Sequence, residues 1–247
     1  MNTVEFGKEN SQVIILLHGG GLSWWNYREV SSLLSAQYHV VIPLLCGHAG
    51  SCCSFTTIEE TAEKLKKFIE DNYGGKVLAI GGLSLGGQIL TQLMSIAPKI
   101  CQYAVIESAL VIPMKLTNLL VGPMSAMSYG LIQKRWFSKI QFQQLHMPAD
   151  LFEEYYRDTC RISKKDMTAI LKSNSSYTLK PSLADTSAKV LITVGEKEIP
   201  IMKRSADRIH HFLPDSQLHI LPGFQHGDLS MHHPEDYVNL LKSVMEA

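Results

Sequence analysis

An excess of charge of either sign is missing from this chain. Its 247 residues carry 23 Lys and Arg against 23 Asp and Glu, a formal net charge of zero. Such a balance leaves no electrostatic footprint for nucleic acid or for an anionic membrane surface, so neither is expected as a partner. Long apolar runs are missing too. The longest near the N-terminus, Val13–Leu17, is far too short to cross a bilayer. The first twelve residues are mixed and polar, without the basic segment and cleavage site of a secretory leader. Cysteines are few and odd in number: the five stand at positions 46, 52, 53, 101 and 160, with no C-x-x-C among them. They read as unpaired thiols of a cytoplasmic protein, Cys46 as a buried one, and they argue against a disulfide framework or a zinc site. No H-E-x-x-H occurs and the histidines lack ligand spacing, so neither a metal nor an organic cofactor is expected.

What is present is enough apolar material for a large core. Hydrophobic residues make up 45% of the chain and charged ones 19%, which excludes a disordered polymer. The length suits one large domain, or a domain with an insertion. Short β-branched runs alternate with segments of helical spacing. VIILL (13–17), YHVVIPL (38–44), KVLAI (76–80), YAVIE (103–107), AKVLITVG (188–195) and SQLHIL (216–221) read as strands. The segments at 25–37, 57–73, 88–97 and 234–245 read as helices, the second capped by Thr56 or Thr57 and stopped at Gly74-Gly75. This rhythm predicts an α/β fold with a mostly parallel sheet covered on both faces. Between about residues 110 and 187 the rhythm breaks. No strand is evident there, and ADLFEEYYRDTCRI has helical spacing, so a helical insertion over one end of the sheet is expected. The expected organisation is a core of residues 1–109 and 188–247 and a helical lid of residues 110–187.

Three motifs carry chemistry. Gly82-Leu83-Ser84-Leu85-Gly86 has the form G-x-S-x-G, with a strand running into it and a helix running out. That setting presses a serine hydroxyl out of a sharp turn against a helix N-terminus. His18-Gly19-Gly20-Gly21 follows the strand VIILL. Glycines there let backbone N–H groups hold a developing oxyanion, with Gly20 the chosen donor, Gly21 the next, and Leu85 N–H the partner. His226, in LPGFQHGDLS, follows the last expected strand. A serine hydroxyl needs a base within hydrogen-bond reach, and of the ten histidines His226 alone sits in a strand-exit loop near the end of the chain.

These features resemble the α/β-hydrolase superfamily over nearly the whole chain. LHGGG, the PLLCGHAGS turn, GLSLGG, VLITVGEKE and the His226 loop stand in that family's order. The likeness is to its small, capped, cofactor-free, esterase-like branch. It implies an α/β-hydrolase fold with a helical cap insertion, Ser84 as nucleophile and His226 as base. The acid is ambiguous. Relatives place it in a G-x-x-D pattern where this chain has Gly195-Glu196-Lys197-Glu198, or at the preceding strand's end, where this chain has Glu107. Glu198 is the first choice and Glu107 the alternative.

Trp24, behind the oxyanion loop, and Met114, Met124, Met127 and Trp136 in the insertion are the expected pocket walls. With no Lys or Arg cluster near the motifs, they suit a small or medium apolar substrate. A serine hydrolase acting on such an ester, as monomer or homodimer, is the reading. A carbon–carbon hydrolase, a lyase using Lys115, a thioesterase, or a small-molecule receptor with a vestigial triad remain open alternatives on the same scaffold.

Overall fold

A computed structural model describes residues 1–246, Ala126 by its backbone alone. Among these residues the strands form one seven-stranded sheet in the order β1-β3-β2-β4-β5-β6-β7. They are β1 (Thr3–Phe6), β2 (Val13–Leu17), β3 (His39–Pro43), β4 (Val77–Leu83), β5 (Cys101–Glu107), β6 (Lys189–Gly195) and β7 (Gln217–Leu221). Only β1 runs antiparallel, against β3. This edge strand lies in the polar N-terminal segment, where the sequence shows no apolar run; each of its residues is only half-buried.

Strand periodicity sorts the core into two layers. Ile14 and Leu16 join Val40, Ile42 and Val105 on one face, beneath α1 (Arg28–Leu34) and α10 (Pro234–Glu246). Ile15 and Leu17 join Val41, Ala104 and Ile192 on the other, beneath α2 (Ile58–Tyr73), α3 (Leu85–Ile96) and α8 (Pro200–Phe212). α2 starts at Thr57, whose side chain accepts from the Glu60 N–H at 3.1 Å, and stops at Gly74, where φ is 65°. The left-handed turn there favours glycine.

Between β5 and β6 the chain forms α4 (Lys115–Ile132), α5 (Arg135–Gln144), α6 (Phe152–Thr159) and α7 (Lys164–Ser176). Polar contacts fasten these helices to the body. The Trp25 indole N–H donates to Asp158 (3.0 Å), Arg28 pairs with Glu154 (2.6 Å), and Asp166 accepts from the Phe55 N–H (2.8 Å). Tyr177, Leu179 and Leu183, after α7, already pack in the core layer with α3. Among the described residues no helix is long and apolar enough to cross a membrane.

One sequence expectation is corrected here. Cys46 is joined to Cys53 in a disulfide, while Cys52, Cys101 and Cys160 stay free. Gly47 and Gly50 have φ of 77° and 82° and curl the loop back, so that the Gly47 N–H donates to the Cys53 carbonyl at 2.7 Å. Spacing alone does not reveal that return, and with a disulfide present the cysteine count no longer argues for a reducing compartment. For a loop spanning a sequence separation of 7, chain entropy puts the stabilisation at about 2–3 kcal/mol. Reduction, or Cys46→Ser with Cys53→Ser, is therefore expected to lower Tm by several degrees in a calorimetric scan; an unchanged Tm would mean the bridge contributes nothing.

Candidate active site

The β4–α3 turn explains why its glycines are where they are. Ser84 has φ 53° and ψ −109°, a strained conformation for a non-glycine residue. Its N–H is held by the Glu107 carbonyl at 2.8 Å, and its own carbonyl accepts from Gln88 at 3.0 Å. A Cβ at residue 82 would lie 2.5 Å from Gly86, and one at 86 would lie 2.0 Å from the Leu17 carbonyl. Only glycine fits at either place. Among the described residues the Ser84 hydroxyl makes no hydrogen bond, and Ser84 lines a cavity of about 260 Å³ together with Gly20, Gly21 and His226.

The loop after β2 is braced from below. Asn26 accepts from the Gly19 N–H (3.1 Å), and His18 accepts from the Leu45 N–H through Nε2 (3.2 Å). With Nε2 accepting, His18 Nδ1–H donates to the Gly19 carbonyl at 3.0 Å. Burial, then the neighbouring His48, pushes the His18 pKa down to about 3. His48 Nε2 accepts from the Gly21 N–H at 3.0 Å, and burial holds this imidazole down at about 4. Both rings are therefore neutral braces. The Gly21 N–H, the second choice for an oxyanion donor, is engaged by His48. The Gly20 N–H and the Leu85 N–H make no hydrogen bond among the described residues. The two residues are neighbours: a Cβ built on Gly20 would touch Leu85 at 3.5 Å.

His226 follows β7 in a turn whose Gln225 N–H donates to Asp228 at 2.7 Å. Its Nδ1 lies 2.7 Å from Glu198 Oε2. The other Glu198 oxygen accepts from the Ser108 hydroxyl (2.7 Å) and the Gly195 N–H (2.9 Å). Burial would raise the Glu198 pKa, but the hydrogen bonds and charge of His226, with Ser108 and Gly195, outweigh it and hold the carboxyl below its ordinary value. His226 moves the opposite way: burial lowers it, and the bond to Glu198 more than restores it, leaving it above 6.5. His226 Nε2 and the Ser84 hydroxyl share a cavity without a direct hydrogen bond between them; in resting sites such bonds are commonly long and tighten once substrate is bound. Ser108, the residue sequence reasoning missed here, has φ 53°, and its only sequence signal is its place next to a strand end.

Glu107 meets a different fate. It is 2% exposed, and one oxygen accepts from the Ser230 N–H at 3.2 Å while the other has no partner among the described residues. Burial, opposed by the Ser230 contacts, raises its pKa to about 7. A carboxyl raised from 4.5 to about 7 favours the folded state fully below pH 4.5 and loses that advantage, about 3 kcal/mol, as pH rises through 7. Glu107→Gln stays uncharged throughout. Its stability relative to wild type, from urea unfolding, is expected to climb by about 3 kcal/mol between pH 4.5 and 7.5; a constant difference would show that Glu107 does not titrate there.

Two further cavities adjoin the first. A chamber of about 410 Å³ lies under α4–α7 and shares Gly20, Gly21, Leu22, Leu145, Met167 and Leu171 with the first. A cleft of about 390 Å³ holds Ser84, His226, Glu198 and Met114. Met124 lines the chamber. Three expected wall residues do not reach any of these spaces. Trp24 packs on Phe6 with the Arg28 guanidinium 5.2 Å above its ring. Met127 is 83% exposed, because the lining positions of α4 (117, 121, 124, 125, 128, 129 and 132) put residue 127 on the outer side. Trp136 is exposed and stacks edge-on against Phe137. Lys115, the candidate lyase lysine, is exposed and lines none of the three. Among the described residues no three His, Cys, Asp or Glu side chains converge where a metal ion could be held.

A mostly parallel sheet with this strand order, a strained serine after β4 and a histidine–carboxylate pair at the same edge define a class. The chain matches the profile of the alpha/beta hydrolase family over residues 14–240 and belongs to that family. It is 34% identical over 96 residues to the magnesium-chelatase 30 kDa subunit of Rhodobacter capsulatus, a match covering 36% of this chain. The chain spans about a third of that relative's length, 32%. A thermophilic esterase of Thermogutta terrifontis superposes with a TM-score of 0.79 at 15% identity, over 98% of this chain and 93% of that one. A serine hydrolase of Cycloclasticus zankles does so with 0.78 at 18% identity, over 99% and 93%. At these identities the structural likeness is one of fold.

Proposed function

We propose that this protein is a serine hydrolase that cleaves a small or medium apolar carboxylic ester through an acyl-enzyme on Ser84. The observation that carries the reading is the Glu198–His226 pair, 2.7 Å apart, in the cleft that also holds Ser84. Glu198 accepts a hydrogen bond from the Nδ1–H of His226, which leaves Nε2 of His226 free to act as base. Ser84 gives its proton to Nε2 as its oxygen attacks the ester carbonyl. The Gly20 and Leu85 N–H groups are the donors for the oxyanion, each worth about 3 kcal/mol to the transition state. His226 then returns its proton to the departing alcohol. A water activated by the same nitrogen releases the acid and restores Ser84.

The lid reading of residues 110–187 belongs to this proposal: α4–α7 close the chamber from above and exclude water from the acyl group. The mainly apolar chamber supports an apolar ester over a phosphate or sugar substrate. The test is intact-mass spectrometry after a fluorophosphonate probe on wild type and Ser84→Ala. One adduct on wild type and none on the variant is the expected result. A folded wild-type protein that takes no adduct would remove the activated serine, and with it the proposal.

A further inference from the structure

The chamber under α4–α7 holds two unsatisfied hydroxyls. Ser125 on α4 and Thr159 at the end of α6 both line it, each is 5% exposed, and among the described residues neither side-chain oxygen makes a hydrogen bond of normal geometry, the Tyr155 hydroxyl lying near Thr159. An orphaned buried hydroxyl is costly, and one that lines a cavity can be satisfied by a bound group. Nearby side chains do find partners: the Tyr129 hydroxyl, one turn after Ser125, donates to the Ile162 carbonyl at 2.9 Å. The remaining walls are mainly apolar, including Val121, Ile132 and Leu145, and no charged side chain lines the chamber. A carboxylate, phosphate or ammonium would find no counter-charge there. A neutral oxygen, carried on an apolar stem, fits both the hydroxyls and the walls.

The chamber also has a direction relative to the chemistry. It touches Gly20 and Gly21 but neither Ser84 nor His226. The adjoining cleft holds Ser84, His226 and Glu198 but neither of those glycines. The group that receives the proton from His226 must sit within hydrogen-bond reach of it. The leaving alcohol therefore belongs to the cleft, and the acyl arm extends past Gly20 into the chamber. We infer that Ser125 and Thr159 form a subsite for an uncharged oxygen on the acyl arm, so that the favoured substrates are esters of oxygenated, not purely hydrocarbon, acids. The acyl assignment rests on the esterase reading above; the binding preference for a neutral oxygen does not.

The experiment uses Ser84→Ala protein, which binds without turnover. Ethyl esters of straight-chain acids of increasing length, each with and without a terminal hydroxyl, are titrated by calorimetry. At the best-fitting length the hydroxylated ester is expected to bind about tenfold more tightly than its plain partner. Adding Ser125→Ala and Thr159→Val should abolish that preference while the plain ester still binds. Equal binding of both esters at every length, no binding at all, or a preference that survives in the substituted protein would overturn the subsite. The fluorophosphonate result is read separately. A preference without a Ser84 adduct defeats the esterase reading alone, and an adduct without a preference defeats the subsite alone.

Discussion

Ser84→Ala is expected to lower kcat for ester hydrolysis by about 10⁶-fold while leaving the fold intact. The size follows from the chemistry: without the oxygen no acyl-enzyme forms, and His226 has no nucleophile to activate. What remains is binding and two backbone N–H groups, which support a small residual rate by direct attack of water. Stability is spared for reasons visible in the turn. The Ser84 hydroxyl makes no hydrogen bond among the described residues, so its removal leaves no orphaned partner. The strained φ of 53° is imposed by the backbone bonds that the Ser84 N–H donates to the Glu107 carbonyl and the Gln88 N–H donates to the Ser84 carbonyl, and alanine meets the same strain as serine. Unfolding free energy should therefore stay within about 0.5 kcal/mol of wild type. The two measurements must be made together. Full turnover in a well-folded variant would show that the serine is not the nucleophile, whereas lost turnover with a collapsed Tm would say nothing about chemistry.

The serine turn was readable from sequence because its glycines are demanded sterically: residues 82 and 86 leave no room for a Cβ. Such constraints leave a local signature. The acid's signal was weaker, a likeness of Gly195-Glu196-Lys197-Glu198 to a family pattern that left Glu107 open. Glu107 ends β5, and its register partner on β6 is Thr193, five residues before Glu198, so both glutamates leave neighbouring strands at one edge of the sheet. Which one reaches His226 depends on a Gly195 N–H and a Ser108 hydroxyl, and those contacts are tertiary. The Cys46–Cys53 bridge was hidden for the same reason: two positive-φ glycines bring the ends together, and residue spacing does not encode φ. The pocket walls failed in another way. Met127 and Trp136 are apolar residues in an apolar-rich insertion, but composition does not say which side of a helix faces the substrate. Only the α4 lining positions do. The short strand β1 is stabilised by pairing with β3 and not by its own hydrophobicity, so pattern alone passes over it.

Glu198→Gln is the variant that separates the two carboxylates, with an expected loss in kcat of about 10³–10⁴-fold. Glu198 Oε1 accepts from both Ser108 and Gly195, and the amide can satisfy those donors only by placing its oxygen there. Its NH₂ then faces His226 Nδ1. That nitrogen is forced to accept, so the proton moves to Nε2, and the imidazole is held in the tautomer that cannot take a proton from Ser84. The packing is nearly unchanged, which is why the loss reports on chemistry. A second signature comes with it. In wild type His226 must be neutral to act, and Glu198, against the opposing effect of burial, keeps its pKa above 6.5. Activity should therefore fall as pH drops through a value above 6.5. Removal of the negative charge lets burial prevail, so the residual activity of Glu198→Gln should keep its plateau to lower pH. Glu107 contributes to the same histidine only through its charge, and burial raises its own pKa to about 7. Glu107→Gln is accordingly expected to hold kcat within about tenfold of wild type. If Glu198→Gln keeps wild-type kcat and Glu107→Gln loses it, the roles assigned to the two carboxylates are reversed, and the 2.7 Å contact at Nδ1 is not the one that orients the base.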